Sequence, residues 1–242
     1  MVGIPYIKDI LNKKAIPARK KPRHIAVTMM GNTIWARKNN IPKELMYRKK
    51  YEILNRMIDL QIKKEIPILT FYLTRRKIED TGEFIILIDS LIKFFEELKN
   101  DERIHKSQIK VSVLGKWYDL TRIVEPVKEI INATKDYDRF FLNLCVNYEG
   151  QEEIVDSCKL IARKIKAEKL DIDSIDKELI KDNLYSSYFL PPDLLIITGK
   201  RKKTSGLLLW DSGNAVIYYS NKLWPEFTKE DFLNAIKEYQ ES

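Results

Sequence analysis

HIAVTMMGNTIWA, residues 24–36, sets an apolar, partly β-branched run (Ile25 to Met29) directly against a glycine and an asparagine. A short run of this kind bounded by a turn signal reads as a buried strand that delivers Gly31 and Asn32 into a tight loop. The same reading extends along the chain. Strands are expected at 25–29, 66–73, 110–114, 140–146, 194–198 and 215–219, and 3.6-residue periodicity predicts helices at 43–64, 79–99, 119–133, 151–168 and 229–240. The polar stretch 171–183 reads as a short helix plus connections. Alternation of this type is the mark of βαβ units. It predicts an α/β fold, with one domain over 23–242 built on a central, mostly parallel six-stranded sheet flanked by helices, and residues 1–22 as a basic N-terminal segment.

Composition narrows the class. Apolar residues at 44% and charged residues at 32% are ordinary for a globular protein. Apolar runs such as 84–88 and 207–210 fall far short of the roughly 20 residues that span a bilayer, so no transmembrane helix is expected. The N-terminus carries no apolar core of the signal-peptide kind, and a cytoplasmic location is expected. Cys145 and Cys158 read as small core hydrophobes, and with only His24 and His105 beside them no zinc site can be assembled. A net charge of +8 points to a polyanionic partner: nucleic acid, an acidic membrane surface or a phosphate-bearing ligand. Genome composition or a hot habitat accounts equally well for the lysine content.

Parallel sheets bind ligands where the carboxyl ends of their strands release loops. The first strand exits through Met30, Gly31 and Asn32, the second through Arg75, Arg76 and Lys77, and the fifth through Gly199, Lys200, Arg201, Lys202, Lys203, Thr204 and Ser205. On one sheet edge these loops form an anion-attracting site almost free of carboxylates; read singly, each is a solvated surface. The segment 84–98 carries two apolar stripes (Phe84, Leu87, Leu91, Phe94, Leu98; Ile85, Ile88, Ile92, Phe95), so it needs a second apolar neighbour, either core, a partner or a lipid tail. Tyr218, Tyr219, Leu223, Trp224 and Phe227 form an aromatic cluster suited to packing or a subunit contact.

From Arg23 to Phe232 the chain resembles the cis-prenyltransferases, the undecaprenyl diphosphate synthase family. Residues 24–36 are similar to the family's H-x-x-x-x-M-D-G-N-x-R-W-A, ILTFYL (68–73) to L-T-L-Y-A-F, and NLCVNYEG (143–150) to N-I-A-x-N-Y-G-G. DLLIITG (193–199) and SGLLLW (205–210) resemble D-L-x-I-R-T-G-G-E-x-R-x-S-N-F-L-L-W, and LWPEF (223–227) resembles L-W-P-D-F. The scaffold residues Tyr72, Asn147, Tyr148, Thr198, Gly199, Ser205, Trp210, Trp224 and Pro225 match. The resemblance implies Mg²⁺-dependent condensation of isopentenyl diphosphate onto an allylic diphosphate, with the product in a hydrophobic tunnel.

The reacting positions differ. The family's aspartate is Met30 and its glutamate Arg201; its G-H-x-x-G histidine and glycine are Tyr47 and Lys50; two arginines are Ile34 and Ile197, and a third is Lys43. Its S-x-E-N-W segment is replaced by residues 75–79, and only Lys203 and Ser205 keep the phosphate-binding character of the R-T-G-G-E word. Losing one transition-state contact costs about 3 to 4 kcal/mol, and several are replaced together. Glu79, Asp80, Glu149 and Asp211 are the carboxylates that could rebuild a magnesium site.

The expectation is a non-catalytic or weakly catalytic subunit of a heteromeric cis-polyprenyl diphosphate synthase, as in the Nogo-B receptor type of accessory subunit. Its partner would be a catalytically complete homologue in a heterodimer, or itself in a homodimer, with possible contact at a membrane periphery. The chain ends KEYQES without that type's R-x-G tail, so support by stabilisation or membrane placement is expected. Prenyl diphosphate would be held by Gly31, Asn32, Lys43, Arg75, Arg76, Lys200, Arg201, Lys203 and Ser205. No catalytic residue, metal ligand or cofactor is assigned, and Mg²⁺ enters only in the alternative, an active synthase. A metal-free prenyl-phosphate binder is a further alternative, and nucleic-acid binding the weakest reading.

Overall fold

β1 (His24–Thr28) lies at the centre of a six-stranded sheet, bounded by β2 (Ile68–Tyr72) on one side and β5 (Leu194–Thr198) on the other. The computed structural model describes residues 21–75 and 82–242. Beyond β2 come β4 (Phe140–Cys145) and β3 (Ile109–Leu114), and beyond β5 comes β6 (Val216–Ser220), giving the order β3-β4-β2-β1-β5-β6. Every pairing is parallel, with Ile25 opposite both Leu69 and Leu194. The three loops whose charges stand out in the sequence belong to β1, β2 and β5, so they emerge side by side. The chain leaves β1 toward β2 but leaves β5 toward β6, and that reversal opens a crevice at the carboxyl edge.

β1, β2, β4 and β5 are buried along their whole length, which is why they read as continuous apolar runs rather than alternating ones. Successive residues still face opposite ways. Ile25, Val27, Leu69, Phe71, Leu142 and Ile196 share one core, while Ala26, Ile68, Tyr72, Phe141, Leu195 and Ile197 share another with Phe189, Leu207 and Leu208.

Helices α1 (Asn32–Lys38) and α2 (Lys43–Lys64) follow β1; α3 (Gly82–Lys99) and α4 (Glu102–Lys106) follow β2. α5 (Val124–Thr134), α6 (Gly150–Lys166), α7 (Lys177–Asp182) and α8 (Lys229–Glu241) complete the set among the described residues. α2 starts after Pro42, ends on Glu65 in a left-handed conformation, and carries Lys63 and Lys64 in its last turn, where cations suit the helix dipole. Its stripe of Met46, Tyr47, Lys50, Tyr51, Leu54, Met57 and Ile58 is buried, and each large apolar side chain so placed contributes roughly 1.5–3 kcal/mol. That anchorage holds Tyr47 and Lys50 at the crevice.

Several expectations change. α1 was not expected, and the helix expected from 119 begins at Val124 after two short 3₁₀ turns, because Leu120 adopts a non-helical ψ of 77°. α3 packs against α2 and α5, so its two apolar stripes are accounted for by core, although Ile85 stays exposed. Cys145 is buried, but Cys158 is exposed on α6 and is not a core residue. Leu223, Trp224 and Phe227 belong to the core, with the two rings stacked at 5.5 Å, whereas Tyr219 is partly exposed. Residues 1–20 of the expected basic N-terminal segment lie outside the described residues, as does the 76–81 stretch. Among the described residues no helix is long and apolar enough to cross a membrane.

Candidate functional site

The turn after β1 is held from both flanks. The Thr198 hydroxyl donates to the Thr28 carbonyl (2.7 Å) and accepts from the Met30 amide (2.9 Å). The Met30 carbonyl accepts from the Trp224 amide at 2.9 Å. Gly31 has φ +94°, and a Cβ there would stand 2.6 Å from Leu223 Cδ2, so glycine is required both by the backbone angle and by the neighbour. Asn32 donates from Nδ2 to the Met29 carbonyl at 2.7 Å, while its Oδ1 is buried without a partner among the described residues.

This turn walls a first cavity of about 680 Å³, closed on the other sides by α2, the β2 exit and α3. Met30, Asn32, Tyr47, Lys50, Thr74, Arg75 and Glu83 are among the residues lining it. Lys50 is only 4% exposed. Its ammonium donates to the Leu73 carbonyl at 2.6 Å and lies 5.8 and 5.4 Å from the ring centres of Tyr47 and Tyr51. Burial lowers its pKa to about 7. The Lys50 carbonyl accepts from Trp224 Nε1 at 2.9 Å, tying α2 to the same turn that pins Met30. Burial and the nearby Glu83 push the Tyr47 phenol up to about 12. Glu83 itself pairs with Lys43 at 2.6 Å. Tyr51, stacked on Phe94 at 4.3 Å, stands between Lys50 and a groove of about 740 Å³ that runs between α2 and α3.

A second cavity of about 680 Å³ adjoins the first and shares Tyr72 and Arg75 with it. Glu149, Lys202, Lys203, Thr204, Ser205 and Tyr219 complete its lining, with Lys202 5.8 Å from the Tyr219 ring centre. Three cations therefore face one carboxylate. Arg75 reaches both cavities because the β2 exit is clamped to the β4 exit: the Asn147 amide donates to Thr74 Oγ1 (2.8 Å) and the Tyr148 amide to the Thr74 carbonyl (3.2 Å).

A buried polar network backs this second cavity. The Leu208 amide donates to the Tyr148 hydroxyl (3.1 Å), which donates to Glu153. The other Glu153 oxygen accepts from the Ser186 amide at 3.1 Å. The Ser186 hydroxyl (2.6 Å) and the Lys181 ammonium (2.7 Å) both donate to Asp211. Burial raises the Glu153 carboxyl above the ordinary carboxylate range. Gly150 lies so close to the Gly206 carbonyl that no Cβ would fit, and the chain around Gly206 and Leu209 is thereby seated on the first turn of α6.

The candidate binding residues separate into three groups. Gly31, Asn32 and Arg75 line the first cavity, and Arg75, Lys203 and Ser205 the second. Lys43 is held by Glu83, and Lys200 and Arg201 are exposed on the loop without lining either cavity. Arg76 lies outside the described residues. Of the carboxylates that could rebuild a metal site, Glu149 lines the second cavity, Asp211 is engaged by Lys181, and Glu79 and Asp80 lie outside the described residues. Among the described residues no three His, Cys, Asp or Glu side chains gather as a metal would need. Lys50, Lys202 and Tyr219 were not singled out from sequence as binding residues. For Lys50 a signal existed, since it falls inside the apolar stripe of α2 at helical spacing from Met46 and Leu54.

The sequence profile of the family described as putative undecaprenyl diphosphate synthase matches residues 28–242. The chain belongs to this family. A relative from Thermoplasma acidophilum, named tritrans,polycis-undecaprenyl-diphosphate synthase (geranylgeranyl-diphosphate specific), is 35% identical over 91% of this chain and 86% of its own length. An isoprenyl transferase from Prochlorococcus marinus is 34% identical, over 97% of this chain and 87% of its own. The fold matches the crystal structure of lavandulyl diphosphate synthase from Lavandula x intermedia, solved with dimethylallyl diphosphate, with a TM-score of 0.86 over 91% of this chain and 95% of that one at 22% identity. Both the Gly31 turn and the Tyr148 seat lie within the residues that the family profile matches.

Proposed function

We propose that this chain is a subunit of a heteromeric cis-polyprenyl diphosphate synthase that binds prenyl diphosphate and adds little or no condensing activity of its own. The observation that carries this reading is the pinned turn at Met30, where a thioether occupies the position of the family's aspartate. Mg²⁺ demands near-octahedral oxygen ligands, usually including one or two carboxylates. The first cavity offers Glu83, already paired with Lys43, and the second offers Glu149 alone among the described residues. This donor set does not suit the ion. The anion is instead met by Arg75, Lys202, Lys203 and the Ser205 hydroxyl, with the turn at Gly31 and Asn32 beside the headgroup. The partner is a catalytically complete homologue, and the assembly works at a membrane periphery where its lipid product leaves.

A second reading, an active synthase, is favoured by the 34–35% identity to relatives named as synthases and transferases over nearly the full length of both chains. One assay separates the two. The purified chain, a catalytically complete homologue from the same genome, and the two co-expressed are each given geranylgeranyl diphosphate, isopentenyl diphosphate and Mg²⁺. A stable complex more active than either chain alone supports the subunit reading. Elongation by this chain alone at the homologue's rate overturns it in favour of the active synthase.

A further inference from the structure

Resting on the reading that the first cavity receives a prenyl diphosphate headgroup, we propose that Lys50 supplies the counter-charge for that headgroup, its ammonium donating to phosphate oxygens. The amine is built into the cavity wall rather than laid on a surface. α2 fixes its backbone through burial of Met46, Leu54 and Met57 and through the bond from Trp224 Nε1 to its carbonyl. An ammonium has three donors. One is taken by the Leu73 carbonyl, and among the described residues no other oxygen partner is assigned to it. Among the described residues the charged and titratable groups around it are few. Tyr47 and Tyr51 face it from α2 itself, Tyr72 and Arg75 share the cavity from the β2 exit, and Glu83 from α3 is held by Lys43. The β1 turn and the start of α1 contribute Met29, Met30, Gly31, Asn32, Thr33 and Ile34, none of which carries a charge.

An ammonium buried without a counter-ion is costly, and the group responds by releasing its proton. Burial accordingly lowers the Lys50 pKa to about 7. A phosphate in contact with it reverses that penalty and raises the pKa again. Between the two values the liganded site holds more protons than the empty one, so affinity falls by up to about tenfold per pH unit as pH rises above 7. A metal-bound headgroup has no such dependence on a lysine.

The full chain is titrated calorimetrically with geranylgeranyl diphosphate and, separately, with inorganic pyrophosphate, in EDTA, at pH 6.5 to 9 and in two buffers of different ionisation enthalpy. Lys50→Met is measured beside it; the methionine is of similar length and apolar, and its thermal midpoint checks that the fold is kept. The expected result is that K50M binds both ligands roughly 10- to 100-fold more weakly at pH 6.5, the range of a charge-assisted hydrogen bond. K50M should also lose the extra proton uptake that wild type shows near pH 8, after the ligand's own protonation is subtracted. Lys50→Arg, which keeps its charge at every pH used, should bind without the additional pH dependence. Binding by K50M with wild-type affinity and pH profile overturns the role of Lys50 while leaving the headgroup site in place. Equal affinity of wild type for pyrophosphate and the prenyl ligand overturns the lipid reading alone, and absence of binding by wild type removes both.

Discussion

The two cavities at the carboxyl edge are equal in size and share Tyr72 and Arg75, yet they meet an anion in different ways. The second presents cationic and hydroxyl side chains on a loop, Lys202, Lys203 and Ser205, and relies on a deep polar network to seat that loop. The first presents a turn pinned by hydrogen bonds and a buried amine, and among the described residues its one carboxylate is already paired. Surface cations attract at long range and are screened by salt, whereas a buried charge acts only on a ligand that has shed its water. One chamber is thus suited to capture and the other to selection.

The largest test breaks the seat of the second cavity. Asp211→Ala leaves Lys181 buried without its carboxylate, and breaking a buried pair in this way costs about 3–5 kcal/mol. Chemical denaturation should show that loss, and pyrophosphate affinity should fall with it, because Asp211 holds Ser186, whose amide bonds Glu153, and Glu153 in turn holds the Tyr148 hydroxyl that accepts from the Leu208 amide. A fully stable D211A with unchanged binding would mean that the network does not support the loop.

Next comes the pH dependence of stability, which belongs to the first cavity. Lys50 has a pKa of about 7 when folded and an ordinary 10.5 when unfolded, so between those values the unfolded chain binds more protons. Stability should therefore rise with pH above 7, at up to about 1.4 kcal/mol per unit from this group, and K50M should lack that slope. The thermal midpoints of both proteins across pH 7 to 9 provide the measurement.

The fold was largely legible in the sequence. Buried β-branched runs located all six strands within two residues, and α2 was located at both ends, because Pro42 and the Lys63, Lys64 pair are strong local signals. α1 escaped because its seven residues include Thr33, Ile34 and Trp35, which favour helix only weakly, and the pinned Gly31 turn rather than propensity starts it. In the site, glycines and loop cations could be read directly, since their roles follow from backbone angle and exposure. Lys50 gave only an indirect signal, its place in the apolar stripe of α2, because a lysine is by default a solvated residue and the packing of α2 against the β2 exit is what buries it. Cys158 failed in the opposite sense: its place on an amphipathic helix was readable, but not which face it occupies.

A smaller effect is expected at the frame of the first cavity. Gly31→Ala must accept φ +94° and displace Leu223, at a cost of about 1–3 kcal/mol, seen as a lower denaturation midpoint. An unaltered midpoint would show that the turn can relax and that the first chamber is less rigid than its hydrogen bonds suggest.

The smallest effect sharpens the contrast through salt. Lys202→Ala and Lys203→Ala should each weaken pyrophosphate binding by a few-fold at low ionic strength, about 1 kcal/mol or less apiece, and the loss should fade at high salt. The K50M loss should persist there. Equal salt sensitivity at both places would erase the distinction between the chambers.

Both backbone polar groups of Met30 are committed to neighbours, its amide to Thr198 and its carbonyl to Trp224, while its side chain takes no part in holding the turn. Such a position can change its chemistry without disturbing its geometry. An exchange of side chain at position 30 leaves both of these hydrogen bonds available, so the turn can present an acidic group or a thioether on the same frame.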